Sequence, residues 1–283
     1  MSNIKNKEVK VKGSRLKIHM EQFESAMEVA HSCRVRQITN GAFNDQSKKS
    51  FDDWEGVKSY DEALDLLRNG YQPTVEKIAG VFKATKNGES KRFAFLNNVQ
   101  GFAPVVPLAL KNVPNCMIDM RIRPIKAKVI DVYYDMTARC GTNSDDIIKA
   151  GQTLLGAIIE LEKQGYRFNL YAVQTYSDGS TCDMLTVKVK SSGQPLDLKR
   201  ISFPLTHTAF FRVIGFDWYS KVPGGKYRGG YGHAIAYDYS EDELQEIAHQ
   251  AFNKTAVYFS AAKIIKKDSE HVKEVLTNGN SKA

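Results

Sequence analysis

The chain has 283 residues, 42% hydrophobic and 25% charged, with 40 Lys+Arg against 32 Asp+Glu and a net charge of +8. These proportions exclude wholesale disorder, and four cysteines are too few for a disulfide scaffold. No apolar run approaches the roughly 18 residues that span a bilayer. The charge is uneven: residues 1–17 carry +5, residues 263–283 carry +2, and residues 18–262 only +1. Residues 1–17 therefore read as a basic, flexible arm. Residues 18–118 read as a smaller, mixed α+β region ending in a Pro-rich connector. Residues 119–265 read as a regular α/β domain, and 266–283 as a C-terminal helix and tail.

In chain order, the first clear element is a helix opened by the capping box Ser59-Tyr60-Asp61-Glu62. It continues through Ala63, Leu64, Leu66 and Leu67 and stops near Asn69-Gly70. Phe93-Ala94-Phe95-Leu96 reads as a short strand. Pro104, Pro107 and Pro114 make residues 101–114 an extended connector. Residues 127–134 are β-branched and aromatic, as a strand requires. A helix is predicted from Ser144, its N-cap, to Gln164, with Asp145 and Asp146 favoured in its first turn and Gly165 ending it. Gly151 and Gly156 inside it predict close approach of a neighbouring backbone. Residues 167–173 form the next strand, completing a right-handed βαβ unit. Residues 184–190 alternate apolar residues with Lys and predict a half-exposed edge strand. Residues 195–220 read as helical with a break near Pro204. A strand at 233–237, a helix capped by Ser240 and Glu243, a strand at 255–259 and a helix at 269–276 follow. The expected fold is a three-layer α/β architecture, a mostly parallel sheet with helices on both faces.

In such a sheet, ligands bind at the carboxyl ends of the strands. That place holds Asp135-Met136-Thr137-Ala138-Arg139. The element order here (a strand ending in Asp, a polar loop, a long helix, a strand, an edge strand) resembles the von Willebrand factor A-type fold. The resemblance implies an Mg²⁺ site in which Asp135 and Thr137 match the first two positions of that family's Asp-x-Ser-x-Ser loop. Asp238 is then the distal carboxylate, and Thr206 or Thr208 the remaining hydroxyl. Arg139 departs from the pattern, since it stands where a hydroxyl is expected and its cation repels a metal. The metal-free alternative has Asp135 capping the loop and pairing with Arg139.

The chain also resembles an uncharacterised family of bacteriophage and mobile-element proteins. The segments that carry the likeness are Trp54-Glu55-Gly56, Pro114-Asn115-Cys116-Met117, Ile147-Ile148-Lys149-Ala150-Gly151, and Leu205-Thr206-His207 through Gly215-Phe216. That resemblance implies the host cytoplasm as location, with the virion as the alternative, and a phage or host protein as partner.

The loop 221–233 holds five glycines, three bases and two tyrosines. Lys221, Lys226, Tyr227, Arg228 and Tyr231 are the candidate nucleic-acid contacts there, cations for phosphate and rings for bases. The loop lacks the Gly-Lys-Ser/Thr of a P-loop. No CxxC, GxSxG or HExxH occurs. Cys140 precedes a helix but has no assigned base, with His207 and His233 the partners to consider. The leading expectation is a non-enzymatic interaction protein that docks a protein partner around Asp135, Thr137 and Asp238, with Mg²⁺ as its one candidate cofactor. The alternative is a nucleic-acid-binding accessory protein using the arm and the Gly/Tyr loop.

Overall fold

The computed structural model describes residues 2–39, 49–83, 92–123, 128–139, 141–225 and 233–278. The chain opens with a hairpin, β1 (Asn3–Val11) and β2 (Ser14–Phe23), where a flexible arm was expected. Lys12 and Gly13 turn it with φ of 45° and 85°, the doubly positive pair that suits a two-residue hairpin. The lysines alternate with residues that face inward: Val9, Val11, Leu16, Ile18 and Met20 are all buried. Lys10, Arg15 and Lys17 thus take outer positions of the ribbon, and charge on an edge is a common guard against edge-to-edge pairing.

Helices α1 (Ala26–Val35), α2 (Tyr60–Asn69) and α3 (Gln72–Lys83) follow. Ser25 and Ser59 cap the first two by accepting from the backbone N–H groups of Glu28 and Glu62. The chain then makes an excursion: β3 (Arg92–Asn98), β4 (Ala103–Pro104), the short α4 (Val106–Ala109) and β5 (Met117–Arg123). These strands form a separate sheet in the order β3-β5-β4. None of residues 96–120, whose side chains are described, belongs to either apolar core described below.

The main body continues with β6 (Lys128–Asp135), α5 (Ser144–Lys163), β7 (Tyr166–Ser177) and β8 (Thr181–Lys190). The N-cap of α5 is Asn143, whose side chain accepts from the Asp145 N–H, one residue before the predicted cap. Next come α6 (Leu198–Thr206), a π-helical turn at 210–215, and α7 (Phe216–Lys221). Pro204 lies within α6, and the break falls at His207. The π turn frees the Phe210 carbonyl, which buried Gln174 satisfies from β7 at 3.0 Å. The expected strand at 233–237 is instead a single 3₁₀ turn, Ile235–Tyr237. Helix α8 (Glu241–Ala251) has the full reciprocal capping box of Ser240 and Glu243. β9 (Ala256–Ser260), α9 (Ala261–Ile264) and α10 (Ser269–Asn278) complete the chain.

The main sheet runs β1-β2-β8-β7-β6-β9. It is mixed, not mostly parallel: β1/β2 and β7/β8 are antiparallel, while β2/β8, β6/β7 and β6/β9 are parallel. β8 is not an edge, because β2 covers its outer side. Its alternating lysines find other outlets: Lys188 reaches Glu24 at 3.4 Å, and buried Lys190 reaches Glu162 at 2.7 Å. Two apolar layers sandwich the sheet. Ile130, Val132 and Tyr134 of β6 face one, built with α1, α2, α5, α6, α7 and α10. Tyr133 faces the other, built with α8 and the inner residues of β1 and β2. Strands β1 and β2 and helices α1, α2 and α3 of the N-terminal region therefore pack into the two cores.

The two glycines of α5 differ. A Cβ on Gly151 would lie 2.1 Å from the Leu205 carbonyl of α6, whereas one on Gly156 meets nothing within 4 Å. Gly156→Ala should therefore gain roughly 1 kcal/mol of helix propensity. Gly151→Ala should lose about 1–3 kcal/mol by prising α5 from α6. Thermal melts of the two variants will shift in opposite directions.

Candidate functional site

β6 delivers Asp135 to its carboxyl end between β7 and β9, opposite Val173 and Ser260. The carboxylate has no solvent exposure. Oδ1 accepts the Thr137 backbone N–H at 2.9 Å, so the residue does cap its own loop. Oδ2 accepts two hydroxyls, Thr175 Oγ1 at 2.6 Å and Tyr258 OH at 2.7 Å. The network extends outward: Thr175 Oγ1 accepts from the Ile235 N–H, and Thr137 Oγ1 accepts from the Thr175 N–H. Burial raises the Asp135 pKa above the ordinary carboxylate value, against the lowering effect of Thr175, Thr137 and Tyr258. The same burial, with the neighbouring carboxylate, raises the Tyr258 phenol.

Arg139 does not pair with Asp135. Its guanidinium stacks 3.9 Å above the Tyr237 ring, and the Arg139 backbone N–H donates to the Tyr237 hydroxyl at 2.9 Å. Asp238 lies beyond that ring and holds His233 Nε2 at 2.9 Å. Thr206 is turned inward to Thr74 at 3.1 Å, and Thr208 donates to the carbonyls of Trp54 and Glu55. The expected metal set is thus dispersed among separate partners. Mg²⁺ needs oxygen ligands free to point at a common centre. Here both Asp135 oxygens already accept N–H or O–H donors inside the protein, and the Thr137 hydroxyl oxygen accepts another. Among the described residues, no three or more His, Cys, Asp or Glu side chains converge. The residues, as placed, do not fit a resident Mg²⁺.

Of the candidate nucleic-acid contacts, Lys221 is 6% exposed, and its Nζ lies 2.7 Å from Asp217. It serves as a buried counter-ion, because an ammonium at the last turn of α7 must be neutralised where water is excluded. Lys226, Tyr227, Arg228 and Tyr231 lie outside the described residues, as does Cys140. His207 packs edge-on against Tyr71, and burial lowers its pKa to about 4. No helix among the described residues is long and apolar enough to cross a membrane.

Three features carry no local signature in the sequence. Buried Glu21 is held by Arg36 at 2.6 and 2.9 Å and by Trp218 Nε1 at 2.8 Å. His19 Nδ1 lies 3.0 Å from Asp183, which has no solvent exposure. Their partners come from distant parts of the chain, so no spacing rule finds them. The third is the outer excursion 92–123, which leaves Val99, Phe102, Val106, Leu110 and Met120 exposed, Leu110 by 80%.

No curated protein and no solved structure matches the chain. One family model does, a domain of unknown function, DUF7192, over residues 5–280, a span that takes in the hairpin, the excursion and the Asp135 network alike. The chain belongs to the DUF7192 family.

Proposed function

We propose that the protein is a protein-docking module, and that its docking surface is the 92–123 excursion. The carrying observation is the concentration of exposed apolar side chains there, within residues 96–120, none of which contributes to either core. Scattered exposed apolar residues mean little, but five between residues 99 and 120 support a recognition surface. The excursion carries four Arg or Lys against one Asp. Its partner is therefore a protein face with an apolar centre and an acidic rim, which steers the encounter while apolar anchors set the affinity. The likeness to phage and mobile-element proteins points to a phage or host protein, met in the host cytoplasm.

The resemblance to the A-type fold supports this reading in part. The order β8-β7-β6-β9, the antiparallel β8 and the long α5 after the Asp135 loop agree with it. The added β1-β2 hairpin beside β8 does not. Docking in this reading is metal-independent, since Asp135 and Thr137 serve as an internal latch.

Val106→Asp with Leu110→Asp places two charges on the surface without touching either core. Affinity capture from host cells should lose at least tenfold of the bound partner in this variant, about 1.4 kcal/mol. Adding EDTA should change nothing. An unchanged capture profile from the double variant, or loss on EDTA alone, would overturn the proposal.

A further inference from the structure

Beside the β1-β2 hairpin lies an open groove of about 540 Å³, lined by Asn6, Lys7, Glu8, Lys17, Ile18, His19, Thr181 and Gly224. Its polar side chains follow from the ladder. Val9, Leu16, Ile18 and Met20 face the α8 layer, so Asn6, Glu8, Lys17 and His19 share the opposite face. Glu8 stands directly across from Lys17, and Asn6 directly across from His19. Lys17 and His19 are two residues apart on one strand, roughly 7 Å, and Glu8 is diagonal to His19 at a similar distance. Lys7 points the other way and donates to the Ala251 carbonyl.

His19 is not an incidental rim residue. Its Nδ1 is fixed by Asp183, a carboxylate wholly withdrawn from solvent, and its ring is 14% exposed. That contact fixes the ring orientation, as an orienting carboxylate does for an acid–base histidine. Nε2 is left facing Gly224 across the groove. A Cβ on Gly224 would lie 3.8 Å from Nε2, an ordinary contact, and it is the φ of 73° there that favours glycine. The groove therefore presents a carboxylate, an oriented imidazole and an ammonium on one face of a rigid sheet. Arg15 adds a second cation at the rim, 3.4 Å from Glu8.

Among the described residues that line the groove, the one side-chain hydroxyl, on Thr181, already donates to Asp178 at 2.6 Å, and no Ser, Cys or Tyr accompanies it. A substrate for this set must bring its own nucleophile, and a ribose phosphodiester does so through its 2′-hydroxyl. We infer that this groove is a metal-independent acid–base site for cleaving single-stranded RNA. The Glu8 carboxylate takes the 2′-hydroxyl proton as O2′ forms its bond to phosphorus. The P–O5′ bond breaks, and the His19 imidazolium gives its Nε2 proton to the departing O5′. The products are a 2′,3′-cyclic phosphate and a 5′-hydroxyl end. Water returns the proton from Glu8 to His19 before the next turnover. Lys17 neutralises charge that develops on the non-bridging oxygens. Asp183 is a positioning residue. This site is independent of the docking surface, which lies on a different sheet.

The test uses the full chain, an end-labelled oligoribonucleotide and its 2′-deoxy analogue, both in EDTA. The expected result is cleavage of the RNA alone, with a cyclic phosphate terminus. Glu8→Gln and His19→Gln should each slow it at least a hundredfold, the usual contribution of one acid–base group. Lys17→Ala should raise KM as well as lower kcat. Circular dichroism and melting of each variant establish that the fold survives; Glu8 is exposed enough that Glu8→Gln cannot unfold the sheet. Asp183→Asn should displace the basic limb of the pH–rate profile, which a purely structural role would leave in place. The inference is overturned if RNA is not cut in EDTA, if the deoxy analogue is cut equally well, or if folded Glu8→Gln retains the wild-type rate.

Discussion

Asp135→Ala is expected to destabilise the protein by about 3–5 kcal/mol, among the largest losses of any single change outside the apolar core. The substitution leaves three donors without their acceptor: the Thr137 N–H and the hydroxyls of Thr175 and Tyr258. Each buried donor stranded in this way costs about 1–3 kcal/mol, and relaxation of the hydroxyls recovers part of the sum. The consequences spread across the sheet, because Thr175 also receives the Ile235 N–H and so ties the 3₁₀ turn to β7. Urea denaturation measures the loss. Asp135→Asn keeps one acceptor for Thr137 and should lose less. Its pH dependence has a definite sign. Burial raises the folded-state pKa of Asp135, so the wild type's ionisation term favours the fold below the unfolded carboxylate pKa and is lost as pH rises through the folded value. The stability gap between wild type and Asp135→Asn should therefore narrow from acid toward neutral pH. Added Mg²⁺ should leave the melting temperature of both unchanged, and a Mg²⁺-dependent rise in the wild type alone would restore the metal reading.

Glu21→Ala is expected to cost a comparable 3–5 kcal/mol, for the opposite electrostatic reason. Glu21 has no solvent exposure, and its oxygens accept the Arg36 guanidinium and the Trp218 indole N–H. Removing it leaves a largely buried cation and an indole donor unmatched. Burial alone would raise the Glu21 pKa, but the hydrogen bonds from Arg36, Ser2 and Trp218 outweigh it, and the net shift is downward. A depressed carboxylate stabilises the fold above its unfolded pKa, and that stability is lost as pH falls through the folded value. Glu21→Gln should thus be most damaging at neutral pH and approach the wild type in acid. Trp218 is one of two tryptophans and sits on the lost contact, so fluorescence-detected unfolding at pH 7 and at acid pH reads the effect directly. Equal penalties at both pH values would show that Glu21 acts through packing and not through charge.

These two carboxylates also show how unevenly the sequence reports on its own structure. The helices at 60–69, 144–163, 241–251 and 269–278 lie close to where capping residues and apolar spacing place them, because those signals act within a few residues. The run Glu8-Val9-Lys10-Val11-Lys12 already has the period of a strand, yet its charge reads as an arm. The alternation becomes decisive only once α8 is seen covering Val9 and Val11, with Gln250 bonding both the N–H and the carbonyl of Lys10. The stretch 233–237 has the composition of a strand but lies beside β7, where the Ile235 N–H donates to a side chain and the His233 carbonyl accepts the Ser177 N–H, so no ladder forms.

The sequence by itself determined the α/β class, the βαβ unit around Asp135, and the local caps and turns, since all of these rest on neighbours within one or two helical turns. It also marked Asp135 and Thr137 as exceptional, because polar residues at a strand's carboxyl end demand an explanation. Only the tertiary structure decided what they do. Whether a buried carboxylate binds a metal or accepts hydroxyls depends on which side chains arrive from β7 and β9, 40 and 123 residues away. The same holds for Asp183 behind His19, 164 residues apart, and for Trp218 on Glu21, 197 apart. Pairings at such separations are set by sheet order and register, which no local pattern in this chain encodes.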